Sequence, residues 1–518
     1  MELGLADIPI PSTWLILIGV SVLWYIYATW TFSTFTKLNI PGPKPTAYFG
    51  NMMQLFNIQK GLQNVQQELI EQYGKVVGCY TLRSPVMFVA DPDLINRILI
   101  KDFDKFQSHK KSLLKSGLGE DSLLTLHGDR WKYVRGILSP SFTSGKLKKM
   151  TPLMNEGGTN MLTKLQEKVA NGEDIETKEL FGNYVMEVVA TCLFGLKLDP
   201  NGNDIEKFAK YAKRAFTTNP GSLAIMLTLF FPWTAHIFNF FNVGLLSKDI
   251  LDFFRDTVEQ VLKMRQEEES SSRVDFVQIM LNAHKAKPDE DFEKDEYAGY
   301  NVKAEKATKP LTSDEIMAQA LTFFMAGYET TSTTLCYASY SLATHPEIQT
   351  QLIEEVDDVT RGDDNVTLEF LNKMPYLNKV VFEVLRLYPP AIYVERQCNE
   401  TCTINGVTFP KDVQVFLAVW TVHREPEYYP DPETFDPERF SSEEIKKRPQ
   451  STFLSFGGGP RVCIGQRFSL VEIKIALIRI LQKYRLETSA KTEIPPSLGK
   501  TGILAPVNGV TLKAVLRS

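Results

Sequence analysis

Little in this chain marks a secreted, nucleotide-binding or nucleic-acid-binding protein. Its six cysteines (Cys79, Cys192, Cys336, Cys398, Cys402 and Cys463) are scattered over 518 residues without a C-x-x-C pair. That argues against a disulfide framework and for a reducing compartment. Cys398 and Cys402 form the one close pair, and no His or Cys pair nearby completes a zinc site. No G-x-G-x-x-G follows a strand-like run and there is no P-loop, which gives no sign of a nucleotide-binding domain in this chain. A net charge of −5 gives no reason to expect a nucleic-acid partner. There is no internal repeat. What remains is an ordinary globular composition, 43% apolar and 23% charged.

Residues 14–35 form a run of 22 without a charge. At about 1.5 Å per residue, a helix of that length spans the bilayer core of roughly 30 Å. Bulky Trp30, Phe32 and Phe35 end the run, unlike the small-residue cut site of a cleaved signal. Glu2 and Asp7 precede it while Lys37 and Lys44 follow, which leaves the body of the protein in the cytoplasm. The expected organisation is a membrane anchor over 1–36, a stiff proline-rich hinge over 37–46 and a catalytic domain over 47–518. Residues 80–90 read as a hairpin around Ser84-Pro85, and most of the chain beyond is helical in pattern. Residues 287–310 are charged and poor in aliphatics, as in a mobile surface loop.

The most informative stretch is Phe456-Gly-Gly-Gly-Pro-Arg-Val-Cys463-Ile-Gly465. A lone cysteine in a glycine-rich loop is followed by an amphipathic run at 466–484 that reads as a helix. Loop N–H groups and the helix N-terminus both favour a thiolate. Gly458, Gly459 and Gly465 would let the backbone approach a large flat partner, and Arg461 suits a carboxylate on it. A flat metal macrocycle with acidic side groups, haem, meets these requirements. The spacing at Phe456, Gly459, Arg461, Cys463 and Gly465 resembles the haem-binding signature of the cytochrome P-450 family, which implies a Cys463 thiolate on the iron of haem b.

Further motifs carry the same resemblance. Trp131 and Arg135 stand four apart on a helical face, where the family holds a haem propionate. Arg396 and Arg461 match its other propionate positions, and His109 stands where close relatives have a further arginine. Residues 312–344 read as a buried helix centred on Ala326-Gly-Tyr-Glu-Thr330-Thr331. By resemblance Thr330 orients a water, Glu329 connects to the proton supply, and Gly327 permits a local bulge. Glu383 and Arg386 match the family's Glu-x-x-Arg and would join Arg439 in a buried structural network. Residues 142–148, 326–332 and 342–346 look like family 3, the steroid and drug hydroxylases, whereas the 287–310 loop and 391–394 depart from it.

The implied fold is mainly α with small β-sheets, the cytochrome P-450 fold with a long central helix over the haem, plus one N-terminal transmembrane helix. The implied function is an endoplasmic-reticulum monooxygenase acting on lipophilic steroid- or xenobiotic-like substrates with O2. Electrons would come from an NADPH-dependent flavin reductase, with cytochrome b5 as a second candidate partner. Position-matching gives a pocket of Leu124, Phe323, Met325, Ala326, Ala391, Ile392, Ile503 and Leu504, each of which also fits an ordinary core residue. Phe230, Phe231 and Trp233 are expected to form a roof that dips into the membrane. Lys132, Lys146, Lys148 and Lys149 are expected to dock the reductase, although they also fit a solvated turn. A haem-thiolate isomerase of lipid peroxides, or a haem-binding sensor without turnover, would share the fold and ligand.

Overall fold

The computed structural model describes residues 12–57, 59–111, 113–114, 121–196, 204–216, 223–241, 243–244, 246–267, 276–285, 310–500 and 503–517. Glu2, Asp7 and all but the last residue of the 287–310 loop lie outside them.

The first helix, α1 (Ser12–Thr29), is apolar along its length and leaves most of its side chains exposed. The apolar run does not stay outside the body. It tightens into a 3₁₀ turn at Trp30–Ser33 and a short helix at Thr34–Lys37, where Phe35 is buried. Its ring lies 5.1 Å from that of Tyr80. The proline-rich segment is fastened rather than free, because Gly78 N–H donates to the Pro41 carbonyl at 2.8 Å. A Cβ at Gly42 would collide with the Gly78 carbonyl.

The hairpin is β1 (Val76–Thr81) against β2 (Ser84–Val89), in register from Val76–Val89 to Thr81–Ser84. It joins β4 (Val394–Gln397) and β7 (Gln414–Leu417) in one sheet of order β1-β2-β7-β4, with β2–β7 parallel. Two smaller sheets complete the β content: β5 (Cys402–Ile404) with β6 (Val407–Phe409), and β3 (Ile175–Glu176) with β9 (Thr511–Leu516) and β8 (Tyr484–Thr488).

The helices that place the site are α2 (Gly128–Leu138), α3 (Ser144–Ala170), α4 (Thr177–Phe194), α5 (Leu223–Phe230), α6 (Thr234–Phe240), α7 (Ser313–Thr344), α8 (Pro375–Leu387) and α9 (Gln466–Leu481). The 32-residue α7 is the central one. Thr312 starts it with a capping box: its hydroxyl accepts from Glu315 N–H while Glu315 returns a bond to Thr312 N–H. Arg130 of α2 clamps the same Glu315 carboxylate. The middle of α7 is buried on nearly every side, against α4, α8, α9 and β8, which a helix without a continuous polar stripe requires.

Candidate functional site

Five of the six cysteines are buried and Cys463 alone is exposed. Its accessible face is internal, since protein surrounds the sulfur closely enough for burial to push the thiol up in pKa. The N–H groups of Gly465 and Gln466 and the charge of Arg135 pull the other way. The expected preference for the thiolate is therefore outweighed until a cation meets the sulfur. Cys463 N–H donates to the Phe456 carbonyl at 2.9 Å, closing the loop just ahead of α9.

The loop glycines divide into two kinds. Gly459, at φ +68°, faces the Leu99 carbonyl, where a Cβ would collide, and a Cβ on Gly458 would meet Leu99 Cδ1 at 3.2 Å. These two serve packing on residues 97–101, not clearance for a flat partner. Gly465 alone of the three has open space where its Cβ would be.

Around this loop the chain gathers three guanidinium groups, and the charges of Arg396 and Arg135 disfavour that of Arg461. Arg461 stacks over Trp131, its carbon 4.3 Å from the ring centroid. It donates to the Leu126 carbonyl at 2.6 Å and the Leu123 carbonyl at 3.4 Å. Burial, Arg396 and Arg135 bring its pKa down to about 9. Arg396 is almost wholly buried at the end of β4 and falls to about 10 through burial. Arg461 Nε and both Nε and Nη2 of Arg396 have no hydrogen-bond acceptor. Burial, and then the same two arginines, hold the His109 imidazole down at about 2. Clustered buried cations with orphaned donors call for an anion. The two carboxylates of haem b would meet that demand, and the Cys463 sulfur would be at hand for its iron.

On α7, Ala326 is exposed in the middle of a buried helix. One turn on, Thr330 Oγ1 donates to the Ala326 carbonyl at 2.7 Å. Glu329 points elsewhere: its Oε1 is 2.9 Å from Lys178 Nζ on α4. The same ammonium donates to Ser332 and Thr333 hydroxyls, both at 2.9 Å. The helix is regular across Gly327, so the expected bulge is not there. A Cβ at Gly327 would press on Val189 Cγ2 at 3.0 Å, and close packing of α7 on α4 is what this glycine provides.

A family profile described as Cytochrome P450 matches residues 40–514. The Fundulus heteroclitus protein named Cytochrome P450 3A56 is 37% identical over 510 residues, 98% of each chain. The Mus musculus protein Cytochrome P450 3A13 is 35% identical over 506 residues, 98% of this chain and 97% of its own. The Sus scrofa protein Cytochrome P450 3A29 gives the same identity and coverage. The chain belongs to the cytochrome P-450 family. It is accordingly a haem b oxidoreductase of the monooxygenase type.

Behind the P-450 cysteine loop lies the charged network. Glu383 and Arg386, both fully buried, meet through two bonds of 2.7 and 2.8 Å. Arg439 Nε approaches Glu383 at 3.5 Å without hydrogen-bond geometry, while its Nη2 donates to the Asp431 carbonyl at 3.0 Å. His423, which has no local motif to mark it, joins this network. Leu454 N–H donates to its Nε2 at 2.9 Å, so Nδ1 carries the proton and donates to the Arg386 carbonyl at 3.1 Å. Burial holds this imidazole at about 3. Ser455 Oγ adds a bond to the Leu385 carbonyl at 2.7 Å. The loop leading to Cys463 is thus tied to α8 at two consecutive residues.

The pocket set divides by burial. Leu124 and Ala391 are exposed and Met325 and Ile503 half-buried, like Ala326 open to approach. Phe323 is not: its ring packs 4.4 Å from Phe276 and 5.7 Å from Phe142, centroid to centroid. Ile392 and Leu504 are closed into a small core with Trp420. The residues expected to form a roof gain a partner in α1. Trp24 of α1 stacks on Phe231 at 5.0 Å, and Phe49 meets Phe230 edge-on at 5.7 Å. Trp233, Ile237, Phe240 and Phe241 are exposed beside them.

Proposed function

We propose that this enzyme works at the endoplasmic-reticulum membrane, body in the cytosol, and inserts one oxygen atom of O2 into lipophilic steroid- or drug-like molecules. Its electrons come from an NADPH-dependent flavin reductase. Thiolate-ligated haem supplies the oxygen activation. The residues supply the rest: Arg135, Arg396 and Arg461 hold the carboxylates, Cys463 ligates, and Thr330 offers a hydroxyl beside exposed Ala326. Glu329 and Lys178 form a polar exit for protons behind that hydroxyl. The observation that carries the reading is this Thr330–Glu329–Lys178 arrangement, which neither an isomerase nor a sensor has use for. The apolar α5–α6 face beside α1 supports entry of substrate from lipid.

The deciding assay is product formation from a lipophilic steroid with and without NADPH and reductase. Product should require both; product without them speaks for an isomerase, and none in either case for a sensor. Lys148 and Lys149 are exposed near the start of α3, where Ser144 Oγ accepts from Arg467 of α9 at 2.5 Å, on the cysteine side of the site. Reversing both charges should slow reduction by the reductase at least about tenfold at low salt, because steering is lost. Reduction by dithionite should not change, and equal slowing of both would remove the docking role.

Replacing Lys178 by methionine should lower turnover, because Glu329 loses the ammonium that its Oε1 meets at 2.9 Å. The steroid-induced Soret shift should stay as it is. Unchanged turnover would take the Lys178–Glu329 pair out of the proton path.

A further inference from the structure

We propose that Cys398 and Cys402 form a peroxide-oxidisable dithiol that closes to a disulfide at the end of the strand presenting Arg396. Their sulfurs lie 3.9 Å apart. Both backbones are pinned: Cys398 N–H donates to the Val413 carbonyl at 3.0 Å, its carbonyl accepts from Asp412 N–H at 2.7 Å, and Cys402 pairs with Phe409 across β5–β6. Side-chain rotation alone must bring the sulfurs to the S–S bond length of about 2.05 Å. The Cys398 S–H now points at the Glu400 carbonyl, 2.9 Å away. Among the described residues no cluster of three or more His, Cys, Asp or Glu could hold a metal.

The two thiols are not equivalent. Cys398 is fully buried and pushed up to about 12 by that burial. Cys402 keeps 8% of its surface. Burial raises its thiol too, but Cys398 and Lys105 pull it down. Cys402 is therefore the attacking sulfur, and a small neutral oxidant such as hydrogen peroxide suits its narrow access. The Cys402 thiolate attacks one peroxide oxygen, the O–O bond breaks, and the departing hydroxide takes a proton to become water. Cys398 sulfur then attacks the resulting sulfenic acid and expels its hydroxyl, which leaves as a second water with the Cys398 proton. Two thiols lose two electrons and the peroxide gains them. With both thiols protonated at neutral pH the reaction is slow, a response to sustained peroxide and not to each turnover. Its product would staple β4, two residues beyond Arg396, to the separate β5–β6 hairpin.

The test uses the full-length haem-loaded enzyme, exposed to hydrogen peroxide, quenched with catalase and alkylated with N-ethylmaleimide after denaturation. Trypsin cleavage after Arg396 and Lys411 places both cysteines in one peptide, 397–411. That peptide should lose two hydrogens and take up no label, and dithiothreitol should restore both labels. Cys79, Cys192 and Cys336 should stay labelled throughout. Cys402→Val should keep the carbon-monoxide band and give no cross-link. Full labelling of both thiols after peroxide, or over-oxidation of either without the cross-linked form, would overturn the proposal, as would the same mass loss in Cys402→Val.

Discussion

Cys463→Ala is expected to erase the red-shifted band of the reduced, carbon-monoxide-bound enzyme and to lower turnover by more than about 10³-fold, equivalent to about 4 kcal/mol of barrier. Haem should still bind, although less tightly. The buried guanidinium cluster with its orphaned donors is untouched by the change, and the Cys463 N–H bond to Phe456 is a backbone bond that alanine keeps. Absorbance per haem before and after carbon monoxide separates loss of the ligand from loss of the cofactor. If the alanine variant kept the band, sulfur at this position would not be on the iron and the whole assignment would fail.

Glu383→Gln is expected to destabilise the fold by about 3–5 kcal/mol, the cost of leaving a buried charge without its partner. Arg386 has no access to water. Its remaining acceptors are the carbonyls of His423 at 2.8 Å and Thr434 at 3.3 Å, which cannot neutralise it. Glu383 also accepts from Asp436 N–H at 3.0 Å, so the segment ahead of Arg439 loosens as well. Chemical unfolding followed by loss of the thiolate-type band would report the change. Turnover per molecule that retains the band should stay within a few-fold of the parent. If that figure collapsed while stability held, these residues would be acting on the chemistry and not on the scaffold. Glu383→Asp, which keeps the charge, should recover part of the stability where glutamine cannot.

Legibility in the sequence followed distance along the chain. Cys463 with Arg461, Thr330 with Glu329, and Glu383 with Arg386 are close pairs along the chain, and of these Glu383 and Arg386 bond directly. Lys178 lies 151 residues from Glu329, and a lysine at the start of a helix carries no local mark of its partner. His423 was hidden for the same reason, since its two bonds reach back to Arg386 and forward to Leu454. The pocket set is hard to read for a different reason. Phe323 and Ala326 are three apart on α7, yet one is packed among phenylalanines and the other is exposed. Which edge of an apolar stripe borders the reaction space depends on the neighbouring helices. Gly327 and the pair Gly458–Gly459 show a related limit. The absence of a side chain is visible in sequence, but what approaches it is not.

The stacking of Trp24 on Phe231 makes the proposed anchor more than a tether. A rod fastened to the body partway along its length cannot lean independently of it. Bilayer thickness, which sets how far such a rod leans, would then also set how deeply the α5–α6 face sinks. The same polypeptide in a thinner or thicker membrane would offer its apolar mouth at a different depth and sample a different layer of dissolved lipophiles.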